Sequence, residues 1–279
     1  MISGLFAASV GLLVAEDLPE EPVAPVEPRP IPADLLEDDH VREELAINEF
    51  TAPSIAKIFE SLEALAPLPL GDHPRESPER MPLDRADLAV ELGFLIADGF
   101  LVVQVGELGK VEELASELTD YAKALGAGER VKRHVTSLLE SARDGDVEQL
   151  KKELASTQKD VELELVTLRD ADLAHLISLG GWIRALEVAT GAVNKQFSPE
   201  RARHIMREDI ADYYSSIVGS LEPRIAERPN YVEMRDVLAG MRTEMLIEEG
   251  TEPEQETVAD IQKQAKKLVE LSLQRADNP

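Results

Sequence analysis

The sequence contains no cysteine, and this absence excludes several classes of site. Disulfides, cysteine nucleophiles, cysteine-ligated zinc and iron–sulfur clusters all need a thiol. The five histidines are scattered, without the spacing of a zinc site. The chain also lacks the glycine-rich phosphate loop, the dinucleotide-binding glycine motif, the HExxH zinc motif and the serine nucleophile elbow. We therefore expect no metal, no cofactor and no catalytic residue of a recognised type.

Positive charge and aromatic residues are both scarce. Lysine plus arginine is 29 against 55 for aspartate plus glutamate, which gives a net charge of −26, and aromatic residues make up 4%. Binding to nucleic acid or to anionic lipid needs a basic surface, so we expect neither partner. The hydrophobic content of 43% is nevertheless high enough for a folded core.

The first fifteen residues contain no charged side chain. This run is short for a permanent membrane span, which needs about 20 apolar residues, and it predicts a signal or apolar leader over 1–15. A buried first helix is the alternative. Residues 16–32 carry six prolines among glutamates, which predicts an extended spacer. Together these segments indicate an exported, periplasmic protein, with a cytoplasmic one as the alternative. Residues 1–15 would tether it to a membrane only if they are not cleaved.

From residue 33 to 279, apolar residues recur at spacings of three and four, and strict alternation is nearly absent. The connections are short, which favours antiparallel neighbours. The sequence therefore predicts an all-α, antiparallel multi-helix bundle, with a possible subdivision at the proline-broken loop 71–82. Asp84, Asp146, Ser198 and Thr251 are predicted N-terminal caps. The predicted helices cover about 33–47, 54–66, 84–105, 107–125, 129–143, 146 to the high 160s, 170–191, a helix from Pro199, 230–248 and 254–275.

The most informative of these helices is the one over 84–105. Its residues 88–105 are apolar on nearly every side, which predicts a central, buried helix. Glu91 and Asp98, seven residues apart, lie on one side of it. A buried carboxylate must be paired, bound to a ligand or metal, or neutralised. We favour a polar stripe salt-bridged to a neighbouring helix, and the alternative is a ligand-binding site in the bundle core.

A second candidate lies in the helix predicted over 170–191. Asp172 and His175 share a face at a spacing of three, and the single tryptophan, Trp182, follows two adjacent glycines. Asp172 is placed to orient the imidazole of His175, and Trp182 is placed to contact a ligand. The favoured interpretation is structural, because a lone histidine on a helix and a lone tryptophan usually belong to the core.

Three further patterns are weaker. Glu200, His204, Glu208 and Asp212 follow each other at a spacing of four, but neighbouring arginines favour a solvated, salt-bridged face over a metal site. The acids at 144–148 lack the glycine of a calcium loop and predict a hairpin turn. The letters Ala-Asp-Leu-Ala at 86–89 recur at 171–174, which suggests an internal duplication or a chance match.

The sequence predicts a non-enzymatic helical envelope protein. It would act through contact with a protein partner, through self-association, or as a structural module. The alternative is a ligand-binding or sensory bundle that uses Glu91 and Asp98, and an enzyme of an unrecognised type comes third. A polar cavity bordered by Glu91 or Asp98 would favour the ligand-binding alternative.

Overall fold

The computed structural model describes residues 55–75, 78, 80–168, 170–248 and 250–276. The predicted leader, the proline-rich spacer and the helix predicted at 33–47 lie outside these residues. Within the described part, the chain forms eleven α-helices, two short 3-10 turns and no strand. The prediction of an all-α multi-helix bundle is therefore confirmed.

The helices differ greatly in length, from four to 25 residues. The two 3-10 turns cover Leu70–Asp72 and Leu108–Lys110. In chain order, the helices are α1 (Ile55–Glu63), α2 (Arg85–Gln104), α3 (Val111–Leu125), α4 (Gly128–Asp144), α5 (Val147–Thr167), α6 (Ala171–Lys195), α7 (Pro199–Arg203), α8 (Glu208–Ser220), α9 (Pro223–Ala226), α10 (Pro229–Met245) and α11 (Gln255–Ser272).

Three of the four predicted caps are confirmed. Asp84 accepts hydrogen bonds from the amides of Ala86 and Asp87 at the start of α2. Asp146 accepts one from the amide of Gln149, and Ser198 accepts one from the amide of Arg201. The cap at Thr251 is wrong, because α11 begins after Glu254 and the Thr251 hydroxyl donates to the carbonyl of Glu248 instead.

The helix predicted from Pro199 is interrupted. It ends at Arg203, and α8 begins five residues later at Glu208. The turn between them buries the adjacent side chains of Ile205 and Met206.

Two long apolar helices, α2 and α6, form the centre of the bundle. Nearly every residue of both is buried. They run in the same direction, because Arg85 pairs with Asp170 at their first turns and Asp98 pairs with Arg184 further along. This direction follows from the three intervening helices, each of which reverses the chain. Of the helices described, α6 is long and apolar enough to span a membrane, and 94% of its most apolar window is buried by the rest of the protein.

Glycines let the two central helices approach closely. A Cβ atom at Gly93 of α2 would lie 2.0 Å from the carbonyl oxygen of Ile177, and one at Gly180 of α6 would lie 2.3 Å from that of Val90. Real Cβ contacts are not this short, so each helix needs a residue without a side chain at the crossing. This close approach offsets the roughly 1 kcal/mol that a glycine costs inside a helix.

The other long helices pack around this pair as antiparallel hairpins. In α4 and α5, His134 lies next to Asp160 while Ser137 lies next to Glu153. In α10 and α11, Glu233 pairs with Lys267 while Glu244 accepts from Gln264. In each hairpin, the residue number rises along one helix while that of its partner falls along the other, so the two helices are antiparallel. The turn predicted at 144–148 joins α4 to α5, with Gly145 in the left-handed conformation at a φ of 71°.

Candidate functional site

The two acids of α2 belong to a buried group of ionised side chains, which we call the central charge cluster. It consists of the guanidinium groups of Arg75, Arg184 and Arg275 and the carboxylates of Glu91, Asp98 and Glu187. Three positive and three negative charges give a formal sum of zero. The cluster therefore removes the main objection to burying charge, which is an unpaired ion in an apolar interior.

Asp98 lies at the middle of the cluster, between two arginines. Its Oδ2 accepts a hydrogen bond of 2.6 Å from Nε of Arg75, and its Oδ1 accepts one of 2.7 Å from Nε of Arg184. Each carboxylate oxygen thus has its own cationic donor, at the short distances typical of charge-assisted hydrogen bonds. Asp98 joins the segment before α2 to the central helix α6.

Glu91, two turns earlier on the same face of α2, also lies between two arginines. Its Oε2 is 3.0 Å from Nη1 of Arg75, and its Oε1 is 3.2 Å from Nη2 of Arg275, which follows α11. Burial raises the pKa of Glu91 more than the two arginines lower it. Ionisation of Glu91 is therefore more costly in the folded protein than in water.

Arg184 is almost completely buried and donates from all three of its nitrogens. Besides the hydrogen bond to Asp98, it donates one of 2.5 Å to the carboxylate of Glu187 on the same helix and one of 2.8 Å to the backbone carbonyl of His73. The ring nitrogen Nδ1 of His73 lies 3.5 Å from Glu187. Although burial raises the pKa of Glu187, its hydrogen bonds to His73 and Arg184 outweigh this effect and lower it.

The segment between α1 and α2 supplies two members of this site. After the 3-10 turn at 70–72, the imidazole of His73 packs over Gly191 of α6. A Cβ atom at position 191 would lie 2.2 Å from Nε2 of His73. Arg75 places its guanidinium 5.6 Å from the ring centre of Phe94. The loop predicted as polar, at 71–82, thus carries side chains that are buried against the central helices.

A cavity of about 510 Å³ lies beside the cluster. Its inner wall includes the buried side chains of Arg75, Asp98 and Arg184. Its outer wall is formed by the start of α3 and the turn before it, and carries the charged side chains Glu107, Lys110, Glu113 and Glu117. The volume is within the range of small-molecule sites, about 300–1,000 Å³.

The side chains of the second candidate group have different hydrogen-bond partners and surroundings in the structure. Asp172 accepts a 2.7 Å hydrogen bond from the amide of Glu222. His175 is buried, its Nδ1 has no hydrogen-bond partner among the described residues, and burial lowers its pKa to about 4. The ring centre of Trp182 lies 5.1 Å from that of Tyr214, and Trp182 borders a small cavity of about 40 Å³. Asp172 therefore does not orient the imidazole through a direct hydrogen bond.

The series at Glu200, His204, Glu208 and Asp212 is divided between two helices. Glu200 lies on α7 and His204 ends it, whereas Glu208 and Asp212 lie on α8. No group of three or more histidine, aspartate and glutamate side chains in the described part of the chain is arranged to hold a metal ion.

No protein-family model, no curated protein and no solved structure matches this chain. The role of the cluster and of its cavity therefore follows from their own geometry.

Five residues of the site are not among the candidates that the sequence indicates: His73, Arg75, Arg184, Glu187 and Arg275. For Arg184 a signal exists, because it interrupts an apolar helix in the same way as Glu91 and Asp98 do. Nothing local distinguishes Arg75 from Arg80 in the loop, or Arg275 from the lysines of α11. Their roles depend on partners that are distant in the sequence.

Proposed function

We propose that this protein is a non-enzymatic helical module of the cell envelope, which acts through contacts with other proteins or as a structural element. The observation that carries the proposal is the pairing of Glu91 and Asp98. Each acid that had been a candidate for chemistry is held between two arginines. Side chains held in this way fasten segments of the chain together, which is what a structural module requires.

The proposed location in the envelope is supported by the sequence. The uncharged run over 1–15 and the proline- and glutamate-rich run over 16–32 have the order of a leader and an extended spacer. Fractionation of the native host, with the intact mass of the recovered protein, tests this part. A full-length protein in the soluble cytoplasmic fraction would contradict it.

The structural role of the cluster is tested by replacing Asp98 with asparagine. The Asp98→Asn variant keeps the shape but removes the charge shared by Arg75 and Arg184, so unfolding should become easier by about 3–5 kcal/mol. Asp120→Asn is the matched control: its carboxylate, 59% exposed, pairs with Lys123 on the surface of α3. The control should change the unfolding free energy by about 0.5 kcal/mol or less.

A ligand-binding or sensory bundle is the second candidate function. It is favoured by the cavity of about 510 Å³, which Asp98 borders. In this case Asp98 is kept at some cost in stability, and Asp98→Asn should raise the melting temperature of the unliganded protein. The same unfolding experiment thus separates the two functions by the sign of the change.

A further inference from the structure

The walls of the cavity beside the central charge cluster differ in charge between the inner and the outer end. At the buried inner end, Arg75 and Arg184 face the cavity together with Asp98. Their other carboxylate partners, Glu91 and Glu187, do not line it. The inner wall therefore presents two guanidinium groups and one carboxylate.

The outer end has the opposite character. Glu107, Lys110 and Glu113 are exposed, and Glu117 is half-buried. Lys110 already pairs with Glu107 at 2.6 Å. Glu113, on α3, leaves this wall with a net negative charge. Glu117, one turn later, interacts electrostatically with Arg75 of the inner wall.

This arrangement selects against simple ions. A small anion at the inner end would be repelled by the carboxylates of the outer wall, and a small cation would be repelled by the guanidinium groups of the inner wall. A molecule with both charges at opposite ends satisfies both walls. We propose that this cavity binds a small zwitterion of the size of an α-amino acid, with its carboxylate against Arg75 and Arg184 and its ammonium group toward Glu113.

The guanidinium groups are suited to this task because the cluster fixes them. Asp98 accepts from the Nε atoms of both, at 2.6 and 2.7 Å, and holds them side by side. Among the described residues, Arg75 donates through Nε to Asp98 and through Nη1 to Glu91, and no acceptor lies on its Nη2. Donors that are held before the ligand arrives lose little conformational entropy on binding. This inference goes beyond the structural role proposed above and does not depend on it.

Calorimetric titration of the whole chain tests the proposal. The probes are L-leucine, L-glutamine and L-serine, each as the free amino acid, as the N-acetyl derivative and as the methyl ester. N-acetylation removes the ammonium group and esterification removes the carboxylate. We expect saturable binding of at least one free amino acid. Both of its derivatives should bind with an affinity lower by about tenfold or more. No binding of any free amino acid at millimolar concentration, or equal binding of the derivatives, would overturn the proposal.

Two pairs of variants locate the binding in this cavity. Gly71 lines the cavity and has open space where a Cβ would lie, as does Gly109, which does not line it. Gly71→Phe should abolish binding, and Gly109→Phe should leave it unchanged. Likewise, Glu113→Gln should weaken binding, whereas Glu112→Gln, on the exposed surface beside it, should not. Binding that survives Gly71→Phe unchanged would place the ligand elsewhere and refute the assignment. Circular dichroism of each variant confirms that the fold is retained.

Discussion

Gly93 approaches Ile177 so closely that a Cβ atom at position 93 would lie 2.0 Å from the carbonyl oxygen of Ile177. This oxygen belongs to the backbone of α6, and a helix backbone cannot move away without shifting the whole helix. The distance between the two central helices is therefore set by the absence of a side chain. It also sets how near Asp98 comes to Arg184, which joins the same two helices further along.

Replacement of Gly93 by alanine should force α2 and α6 apart. We expect Gly93→Ala to lower the unfolding free energy by about 1–3 kcal/mol, the usual cost of overpacking. Gly240→Ala is the control, because Gly240 lies in α10 with nothing within 4 Å of its Cβ position. The control should gain up to about 1 kcal/mol from helix propensity. Urea denaturation measures both, and a gain for Gly93→Ala would contradict the close crossing.

The raised pKa of Glu91 predicts a pH-dependent stability. A carboxyl group whose pKa is higher in the folded protein contributes stability that is fully present below its ordinary value of 4.5 and is lost as the pH rises through the folded pKa. Glu91→Gln removes this titration. The unfolding free energy of the variant, relative to wild type, should therefore rise from acidic to neutral pH.

Urea unfolding at several pH values measures this difference. Glu112→Gln, an exposed change on α3, is the control and should give a difference that stays constant. A relative stability of Glu91→Gln that falls toward neutral pH would show that the arginines outweigh burial at this carboxylate.

The buried His175 predicts a pH dependence of stability in the opposite direction to that of Glu91. Burial lowers its pKa from 6.5 to about 4, so the folded protein favours the neutral imidazole. Its contribution to stability is present above 6.5 and is lost as the pH falls toward 4. His175→Leu should therefore become more stable relative to wild type over this interval. The exposed His204→Leu is the control, and a flat difference for His175→Leu would be evidence against burial of the imidazole.

The centre of α2 should tolerate truncation poorly. Leu101 is fully buried, and Leu101→Ala should cost about 2–5 kcal/mol through lost burial and the cavity that remains. Leu83, which is 84% exposed just before α2, provides the comparison. Leu83→Ala should change the unfolding free energy by about 0.5 kcal/mol or less. Thermal unfolding of the two variants should differ clearly, and similar melting temperatures would argue that α2 is not enclosed.

The fold could be predicted from the sequence because the signals for helices come from residues that are close together in the chain. Apolar spacing, the caps Asp84, Asp146 and Ser198, and the all-round apolar character of α2 each concern residues close together in the chain. The same evidence failed at Thr251, where a capping pattern is present but the helix begins later. It also gave no sign of the turn at 204–207, which separates α7 from α8 and buries Ile205 and Met206.

The candidate site could be predicted only in part. Glu91 and Asp98 are conspicuous because they interrupt an apolar helix, and the need for basic partners follows from electrostatics. Which arginines supply the charge does not follow, because Arg75 lies 16 residues from Glu91 and Arg275 lies 184 residues from it. The cavity depends on the same distant packing, since one wall comes from the segment before α2 and another from α3.

The separation of 184 residues between Glu91 and Arg275 has a consequence for how the protein folds. A ribosome makes Glu91 well before Arg275, so a growing chain holds this acid without one of its two cations. Until α6 is made, α2 also lacks the helix that packs most extensively against it, and its apolar surface is open to other chains. Contacts at such a distance slow folding relative to helical proteins with mainly local contacts. Closure of the central charge cluster thus requires that both halves of the chain have come together.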